Sequence, residues 1–163
     1  MAPTADDYRA VMRRLPTGVS VLTMRADGAA HGMTANTVTS VSLEPLLLLV
    51  CIDRTARAHG WIADSGEFIV NVLHSGQAEL SRRFAVRDLP DSERWEGVET
   101  STGRTLDIPR IAGCTGYIEC RVRDTHDGGD HTIFVADVLD VEPAADSDPL
   151  VFYKRTYRTV TPE

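Results

Sequence analysis

The sequence of 163 residues contains little cysteine, a deficit of positive charge and no long apolar run. Its three cysteines, Cys51, Cys114 and Cys120, form no C-x-x-C pair, which argues against a disulfide framework and a thiolate zinc site. Seventeen Lys and Arg against 24 Asp and Glu give a net charge of −7. This balance argues against nucleic acid or an anionic membrane surface as a partner. The longest apolar stretch, residues 45–52, is too short to span a bilayer.

The N-terminus also lacks the basic segment and apolar run of a secretory signal. Together with the unpaired cysteines, this predicts a cytoplasmic protein whose thiols are reduced. An apolar fraction of 42% and a charged fraction of 25% are typical of a globular protein. We therefore expect residues 1–163 to form one soluble domain with a sizeable core.

Signature motifs of several enzyme classes are absent as well. The sequence has no H-E-x-x-H, no G-x-S-x-G, no P-loop and no G-x-G-x-x-G. We therefore predict no metal site, no Ser-His-Asp hydrolase and no Rossmann-type nucleotide site. The segment 126–131, with a histidine at each end, could form a loop site for a divalent ion, but its paired glycines favour a tight hairpin.

Apolar periodicity predicts one helix and several strands in the first half of the chain. Apolar residues at helical spacing predict a short N-terminal helix with one buried face; they are Tyr8, Val11, Met12 and Leu15. A strand over 18–24, the turn signal at 27–28 and a return strand over about 31–41 follow. The continuous apolar run 45–52 predicts a strand covered on both faces, and a helical piece over about 55–63 comes next.

The second half continues the β pattern. Residues 67–73 form a strand signal, and Ser75 is placed to cap a helix that carries Leu80 and Phe84. Residues 86–112 are the least regular part, and we expect a long surface excursion there. Further strands are predicted at 116–122, 131–141 and 150–153. Six or seven strands at hairpin spacing indicate an antiparallel barrel. The two-faced strand 45–52 then needs a helix or a second subunit over its outer face, which favours a homodimer.

One polar constellation remains after these exclusions. Hydroxyl side chains and one amide crowd the segment 34–42, directly before the apolar strand, and 53–57 with two arginines follows that strand. Arg82 and Arg83 lie on the next helix. Hydroxyls and arginines gathered at one sheet edge can bind a phosphate and a planar heterocycle. An exposed strand without any ligand would use the same threonines.

Five segments in register carry a resemblance to a known family: 14–23 (RLPTGVSVLT), 32–45 (GMTANTVTSVSLEP), 71–73 (NVL), 83–85 (RFA) and 129–135 (GDHTIFV). Together they resemble the flavin reductase family of short flavin:NAD(P)H oxidoreductases, and the resemblance extends from about residue 8 to 157. It implies an antiparallel FMN-binding split barrel with a few flanking helices. It also implies NADH or NADPH as reductant, FMN or FAD as flavin, and a separate flavin-dependent monooxygenase that receives the reduced flavin.

The resemblance also implies site residues. Those expected along the flavin ring and ribityl chain are Met33, Thr34, Ala35, Asn36, Thr37, Ser40, Val41 and Ser42. Those expected beside the phosphate are Cys51, Asp53, Arg54, Thr55, Arg83 and Phe84, with Arg83 on the phosphate itself. His131 is expected to contact the nicotinamide and is the one catalytic residue predicted. Tyr157 is expected to flank the nicotinamide pocket.

The chain departs from the family pattern at several of these positions. It has Asn36-Thr37 where two small hydroxyl residues are common, and Ala56 where a serine is common. These departures leave flavin affinity and the choice between FMN and FAD open. Two other functions stay open as well: a non-catalytic flavin-binding split barrel, and an enzyme similar to pyridoxine-phosphate oxidase.

Overall fold

Hairpin-connected strands form most of the chain. The computed structural model describes residues 1–144 and 146–160. The elements up to residue 72 are α1 (Ala5–Met12), β1 (Thr17–Gly18), β2 (Ser20–Ala26), β3 (Ala29–Ala35), β4 (Val38–Leu43), β5 (Leu46–Asp53), α2 (Arg57–Ser65) and β6 (Glu67–Val72). A 3-10 turn (Ser75–Gln77) then leads into α3 (Ala78–Ala85), α4 (Asp91–Arg94), β7 (Thr100–Thr102), β8 (Pro109–Ile111), β9 (Gly116–Gly128), β10 (His131–Pro143), β11 (Val151–Tyr153) and β12 (Thr156–Arg158).

Seven of these strands form one antiparallel sheet in the order β3-β2-β6-β9-β10-β5-β4. The shorter strands form a three-stranded sheet, β1-β11-β12, and a β7-β8 pair. The prediction of a mainly β, antiparallel protein is therefore confirmed. Of the short strands, β11 was predicted, whereas β7, β8 and β12 went unrecognised because three residues are too few to show a period.

Turn chemistry sets the register of two of the hairpins. Asp27 and Gly28 join β2 to β3 with φ angles of 50° and 75°. Two successive positive φ values match the twist of the flanking strands, as in a type I′ turn. Gly129, with φ of 77°, lies in the turn between β9 and β10. Both predicted turns are confirmed.

The core lies on both faces of the sheet. On β2, Leu22 and Met24 join one buried cluster, whereas Val21, together with Val19 just before the strand, joins another. This alternation follows from the two-residue period of a strand. Helix α2 covers the first cluster with Ala58 and Ile62, and α3 contributes Phe84 to the second. The two faces are therefore covered by different helices.

A buried ion pair fastens the loop between β7 and β8 to β9. The Glu119 carboxylate is fully buried and accepts N–H groups from Arg104 (2.6 Å), Thr105 (2.9 Å) and Leu106 (2.8 Å), together with the Arg110 guanidinium (2.9 Å). Burial alone would raise the pKa of Glu119, but these donors hold it below its ordinary value. The prediction that 86–112 is a surface excursion is therefore wrong for 106–111, where every residue but Asp107 is buried.

The N-terminal helix also differs from its prediction. Helix α1 ends at Met12, and it begins with a capping box between Thr4 and Asp7. Its apolar stripe is exposed, although one buried face was expected: the exposed fractions are 65% for Tyr8, 67% for Val11 and 56% for Leu15. The stripe finds no partner surface within the described part of this chain.

Two local expectations need correction, and a third is met in part. The return strand predicted over 31–41 is interrupted at residues 36–37, between β3 and β4. At this break the Thr37 hydroxyl donates to the Cys51 carbonyl. Ser75 does not cap α3, since the His74 ring accepts the N–H of Gly76 and caps the 3-10 turn. Within one chain the strand at 45–52 buries one face only, which leaves the predicted cover of its outer face to a second subunit. Its alternate residues are half-exposed, so the outer face is left partly open to solvent.

Candidate functional site

A cavity of about 560 Å³ opens between β3, α2, α3 and the β11–β12 hairpin. Cavities that bind small molecules commonly measure about 300–1,000 Å³. Its apolar walls come from the Met33, Trp61, Phe84 and Phe152 side chains. Gly32 permits this arrangement, because a Cβ atom there would lie only 2.6 Å from the Phe84 ring. The walls suit a flat, apolar ring system.

One polar cluster of the cavity joins β3, α3 and β12. The Thr34 hydroxyl donates to the Ser81 carbonyl at 2.6 Å, and the Ser81 hydroxyl shares a hydrogen bond of 2.8 Å with the Tyr157 phenol. Arg82 lies over the Tyr157 ring at 5.0 Å, where the cation is attracted to the ring face. These contacts fix the Tyr157 ring as part of the cavity wall.

A second polar cluster lies where β5 ends. One oxygen of Asp53 accepts the backbone N–H (2.8 Å) and the hydroxyl (2.7 Å) of Thr55, and the other accepts Arg87 Nη2 at 2.7 Å. The Thr55 hydroxyl, the Thr55 N–H and the Arg87 guanidinium hold the pKa of Asp53 well below its usual range. The Asp53 carboxylate therefore stays ionised at neutral pH.

The segment 86–95 forms the remaining wall. Arg94 is buried and donates to the carbonyl oxygens of Arg83, Phe84, Val86 and Leu89. A single guanidinium has five donors in a rigid fork, which suits it to hold an irregular turn of backbone. Arg94 therefore fixes the shape of this segment rather than offering its charge to a ligand.

Asp91 attaches the same segment to the rest of the cavity. Its Oδ2 lies 2.8 Å from His31 Nδ1 and 3.7 Å from Arg57 Nη2. The His31 ring stacks on Trp61 at 3.7 Å between centroids, and the Arg57 guanidinium lies 4.7 Å from the Trp61 ring. His31 and Arg57, which contact Asp91 of the segment 86–95, thus also hold the Trp61 indole in the cavity wall.

Seven predicted site residues line this cavity: Met33, Thr34, Asn36, Asp53, Thr55, Phe84 and Tyr157. They come from four separate parts of the chain, which the fold brings together. An aromatic and aliphatic wall with hydroxyl and guanidinium groups at its margins fits a planar heterocycle that carries a phosphate.

Other predicted site residues lie outside the cavity lining. Ala35 is buried in the core. Thr37 and Cys51 are tied to each other by a hydrogen bond, and Ser40, Val41 and Ser42 lie on the edge strand β4, where Val41 is exposed. Arg54 pairs with Asp127 on the β9–β10 hairpin. For these residues the roles implied by the resemblance stay predictions.

His131 and Arg83 also lie outside the cavity lining. His131 begins β10 opposite Asp53, and its Nδ1 lies 2.7 Å from Asp130 Oδ1. Arg83 donates to the Glu96 carbonyl at 2.6 Å and borders a separate, shallow depression with Glu79 and Glu99. Arg83 therefore faces away from this cavity and His131 stands at the neighbouring strand end, and the roles implied for both by the resemblance stay predictions.

Sequence reasoning missed several residues that line the cavity: Val19, Gly32, Ala58, Trp61, Ser81, Ala85, Val86, Arg87, Asp88, Arg94 and Phe152. Arg57 also lines the cavity and entered the prediction only as part of the polar segment 53–57. Ala56, noted only as a departure from the family pattern, lines it as well. Arg57 and Trp61 are one helical turn apart, a spacing that predicts a shared face. Residues 86–88 carried no usable signal, because they belong to no regular element.

The described residues hold neither a cluster of metal ligands nor a membrane-spanning helix. Among residues 1–144 and 146–160, no three His, Cys, Asp or Glu side chains lie together as metal ligands would. In the same part of the chain, every helix is too short or too polar to cross a bilayer.

Comparison with known proteins gives one consistent result. The model of the flavin reductase like domain family matches residues 12–161. The chain is 38% identical over 155 residues to a flavin reductase (NADH) of Kitasatospora aureofaciens, which covers 93% of this chain and 80% of that protein. It is 34% identical over 156 residues to HsaB, the reductase subunit of a flavin-dependent monooxygenase of Rhodococcus jostii (strain RHA1), with coverage of 96% and 78%.

A solved structure shows the same likeness. The NADH:FAD oxidoreductase of Streptomyces globisporus C-1027 matches with a TM-score of 0.91 and 34% identity, over 99% of this chain and 97% of that chain. A likeness over nearly the full length of both chains agrees with the predicted split-barrel fold.

Proposed function

The chain belongs to the flavin reductase family, and from this premise we propose that it uses NADH to reduce FMN or FAD. One observation carries the proposal. Three of the five segments with the family's motifs, 14–23, 32–45 and 83–85, contribute lining residues to a single cavity whose walls suit a flat ring and whose margins hold hydroxyl and guanidinium groups. NADH is favoured over NADPH because similar proteins are named for NADH.

The flavin, when bound, accepts two electrons and a proton from the nicotinamide. The protein itself needs no nucleophile, because such catalysis depends on orientation and on excluding water. Met33, Trp61 and Phe84 supply apolar walls that exclude water from the reacting faces. The Thr34–Ser81–Tyr157 hydrogen bonds keep one wall in place. His131 contacts the nicotinamide in this proposal, supported by its position opposite Asp53 at the strand end.

Reduced flavin then passes to a separate flavin-dependent monooxygenase. Support comes from the name of a similar protein, the reductase subunit HsaB. In the same proposal residues 1–163 form one domain, supported by a family match that runs from 12 to 161. The protein works in the cytoplasm, which agrees with its three unpaired cysteines.

We also propose that the protein forms a homodimer. Its support is apolar surface that one chain leaves open: the exposed stripe of α1, and the exposed side chains of Val41, Leu43 and Leu46 on β4 and β5. Scattered apolar residues are ordinary on a protein surface, whereas grouped ones mark an interface. Light scattering at micromolar concentration is expected to give twice the mass of the chain, and a monomer would contradict the proposal.

Anaerobic mixing with NADH tests the reaction. We expect purified protein to oxidise NADH when FMN or FAD is supplied, with loss of the flavin absorbance. A protein that binds flavin but does not reduce it would be the non-catalytic alternative, and oxidation of pyridoxamine phosphate would indicate the oxidase alternative. Failure both to bind and to reduce either flavin would overturn the proposal. In a second test, His131→Ala should chiefly raise the KM for NADH.

A further inference from the structure

The cavity has three arginines among its described lining residues, and their guanidinium groups differ in the contacts that they make. Arg94 is buried and committed to four backbone carbonyls. Arg57 lies against Trp61 and near Asp91. Arg87 is the most exposed of the three, with 63% of its side chain open to solvent.

Arg87 is held in place by contacts that use only part of its capacity. Its Nη2 donates to Asp53 at 2.7 Å and its Nη1 donates to the Thr55 hydroxyl at 3.0 Å. A guanidinium carries five N–H donors, so donors remain for a further oxygen acceptor. The Asp53 oxygen that accepts Arg87 differs from the one that accepts Thr55, so the carboxylate bridges the turn after β5 to the segment after α3. The cation is therefore oriented at the cavity before any ligand arrives.

The expected phosphate residue of the family pattern does not reach this place. Arg83 lies on the last turn of α3 and donates to the Glu96 carbonyl, beside the separate depression. Arg87 follows four residues later, beyond the end of the helix, and the change of backbone direction there brings it to the cavity.

We propose that Arg87, positioned by Asp53 and Thr55, binds the phosphate of the flavin and makes this protein prefer FMN to riboflavin. The inference rests on the proposed function, since it assigns one residue within that site. A guanidinium fork matches two phosphate oxygens at once, which a point charge cannot do. The existing bond to Asp53 does not prevent this, because a solvent-exposed ion pair is weak and can share its cation with a second anion.

The test compares FMN with riboflavin, which has the same ring system without the phosphate. In the full-length protein, Arg87→Met should weaken FMN binding by about 10- to 100-fold, as expected for a lost charge-assisted hydrogen bond. Riboflavin binding should change by less than about twofold, because its contacts remain. Dissociation constants come from quenching of flavin fluorescence. Arg87→Gln keeps a polar group near Thr55 without the charge, and it should lose the preference as well.

Arg121→Met is the matched control. Arg121 is also exposed and also paired with a carboxylate, Glu67, at 2.8 Å, but it lies outside the cavity lining. Its replacement should leave the dissociation constants of both flavins unchanged.

Three results would overturn the inference: equal weakening of both flavins by Arg87→Met, no change in FMN binding, or a wild-type protein that binds both flavins alike. Circular dichroism and the thermal midpoint establish that each variant is folded. Wild-type reduction of FMN together with an unchanged preference in both Arg87 variants would reject the role of Arg87 and leave the proposed function standing. A wild-type protein that neither binds nor reduces any flavin would reject both.

Discussion

Two carboxylate–arginine pairs in this molecule have the same chemistry and opposite surroundings. Glu119 and Arg110 lie 2.9 Å apart, with exposed side-chain fractions of 0% and 5%. Asp53 and Arg87 lie 2.7 Å apart, with exposed fractions of 31% and 63%. In both pairs the carboxylate also accepts backbone N–H groups from a neighbouring turn. Burial is the main difference between them.

That difference separates a structural role from a binding role. When a buried charge loses its partner, no water can solvate it in the partner's place. Removing one member of the pair therefore destabilises the fold by far more than the intact pair stabilises it. An exposed pair exchanges protein contacts for water with little change in free energy, and screening weakens it further. The Glu119 pair can therefore hold a loop, whereas the Asp53 pair can release its cation to a ligand.

The largest effect is expected at the buried pair. Glu119→Gln should lower the free energy of unfolding by about 3 kcal/mol, because the amide carries donors where the carboxylate accepted them. One Glu119 oxygen faces the N–H groups of Thr105 and Leu106 and the other faces Arg104 and Arg110, so neither side suits an NH₂ group. Urea denaturation measures the change.

Glu67→Gln is the control for this substitution, because Glu67 forms an exposed pair with Arg121. Its denaturation midpoint should match that of the wild type. A loss below about 1 kcal/mol for Glu119→Gln would show that this pair behaves like a surface pair.

The same carboxylate predicts a dependence of stability on pH. The pKa of Glu119 is lower in the folded protein than its ordinary value, so the folded state binds this proton less readily than the unfolded state. Its contribution to the free energy of unfolding is complete above the ordinary glutamate pKa, and it disappears as the pH falls through the lower, folded value. Denaturation curves at several pH values below 5 should show a steeper loss for the wild type than for Glu119→Gln. Parallel curves would contradict the assignment.

Asp91 is an intermediate case, with 24% of its side chain exposed. Asp91→Asn should lower the free energy of unfolding by about 1.5 kcal/mol, because it weakens the bond to His31 and the attraction to Arg57 and Arg94. Hydrogen exchange in residues 86–95 should become faster, since Asp91 attaches this segment to the cavity. Glu93→Gln, on the same short helix but exposed, should change neither quantity. Unchanged exchange in the Asp91 variant would show that Arg94 alone holds the segment.

The sequence allowed the scaffold of the cavity to be predicted because local rules decide it. The Asp27-Gly28 turn needs only the preference of two residues for positive φ. The polar segment that contributes Met33, Thr34 and Asn36 was recognisable because it carries a family motif as well as a strand pattern. Three of the seven predicted site residues that line the cavity come from this segment.

What the sequence could not supply depends on contacts between distant segments. Glu119 occupies the polar side of an alternating strand, and only the loop packed against that side reveals that it is buried. Arg87 lies in a stretch without periodicity and outside the motif that singled out Arg83, so nothing local marks it as a ligand residue. The exposed stripe of α1 has the period of a buried helix face, and residues 1–144 and 146–160 supply no surface that buries it.

The smallest effect on stability is expected at the exposed pair. Asp53→Asn should leave the urea midpoint within experimental error of the wild type, because water solvates Arg87 once the carboxylate charge is gone. The asparagine oxygen can still accept the Thr55 N–H and keep the turn after β5. Denaturation of this variant beside Glu119→Gln sets the two pairs against each other under one condition. A destabilisation as large as that of Glu119→Gln would mean that solvent exposure does not decide how much each pair contributes to stability. The Asp53–Arg87 pair would then be a structural pair, as Glu119–Arg110 is.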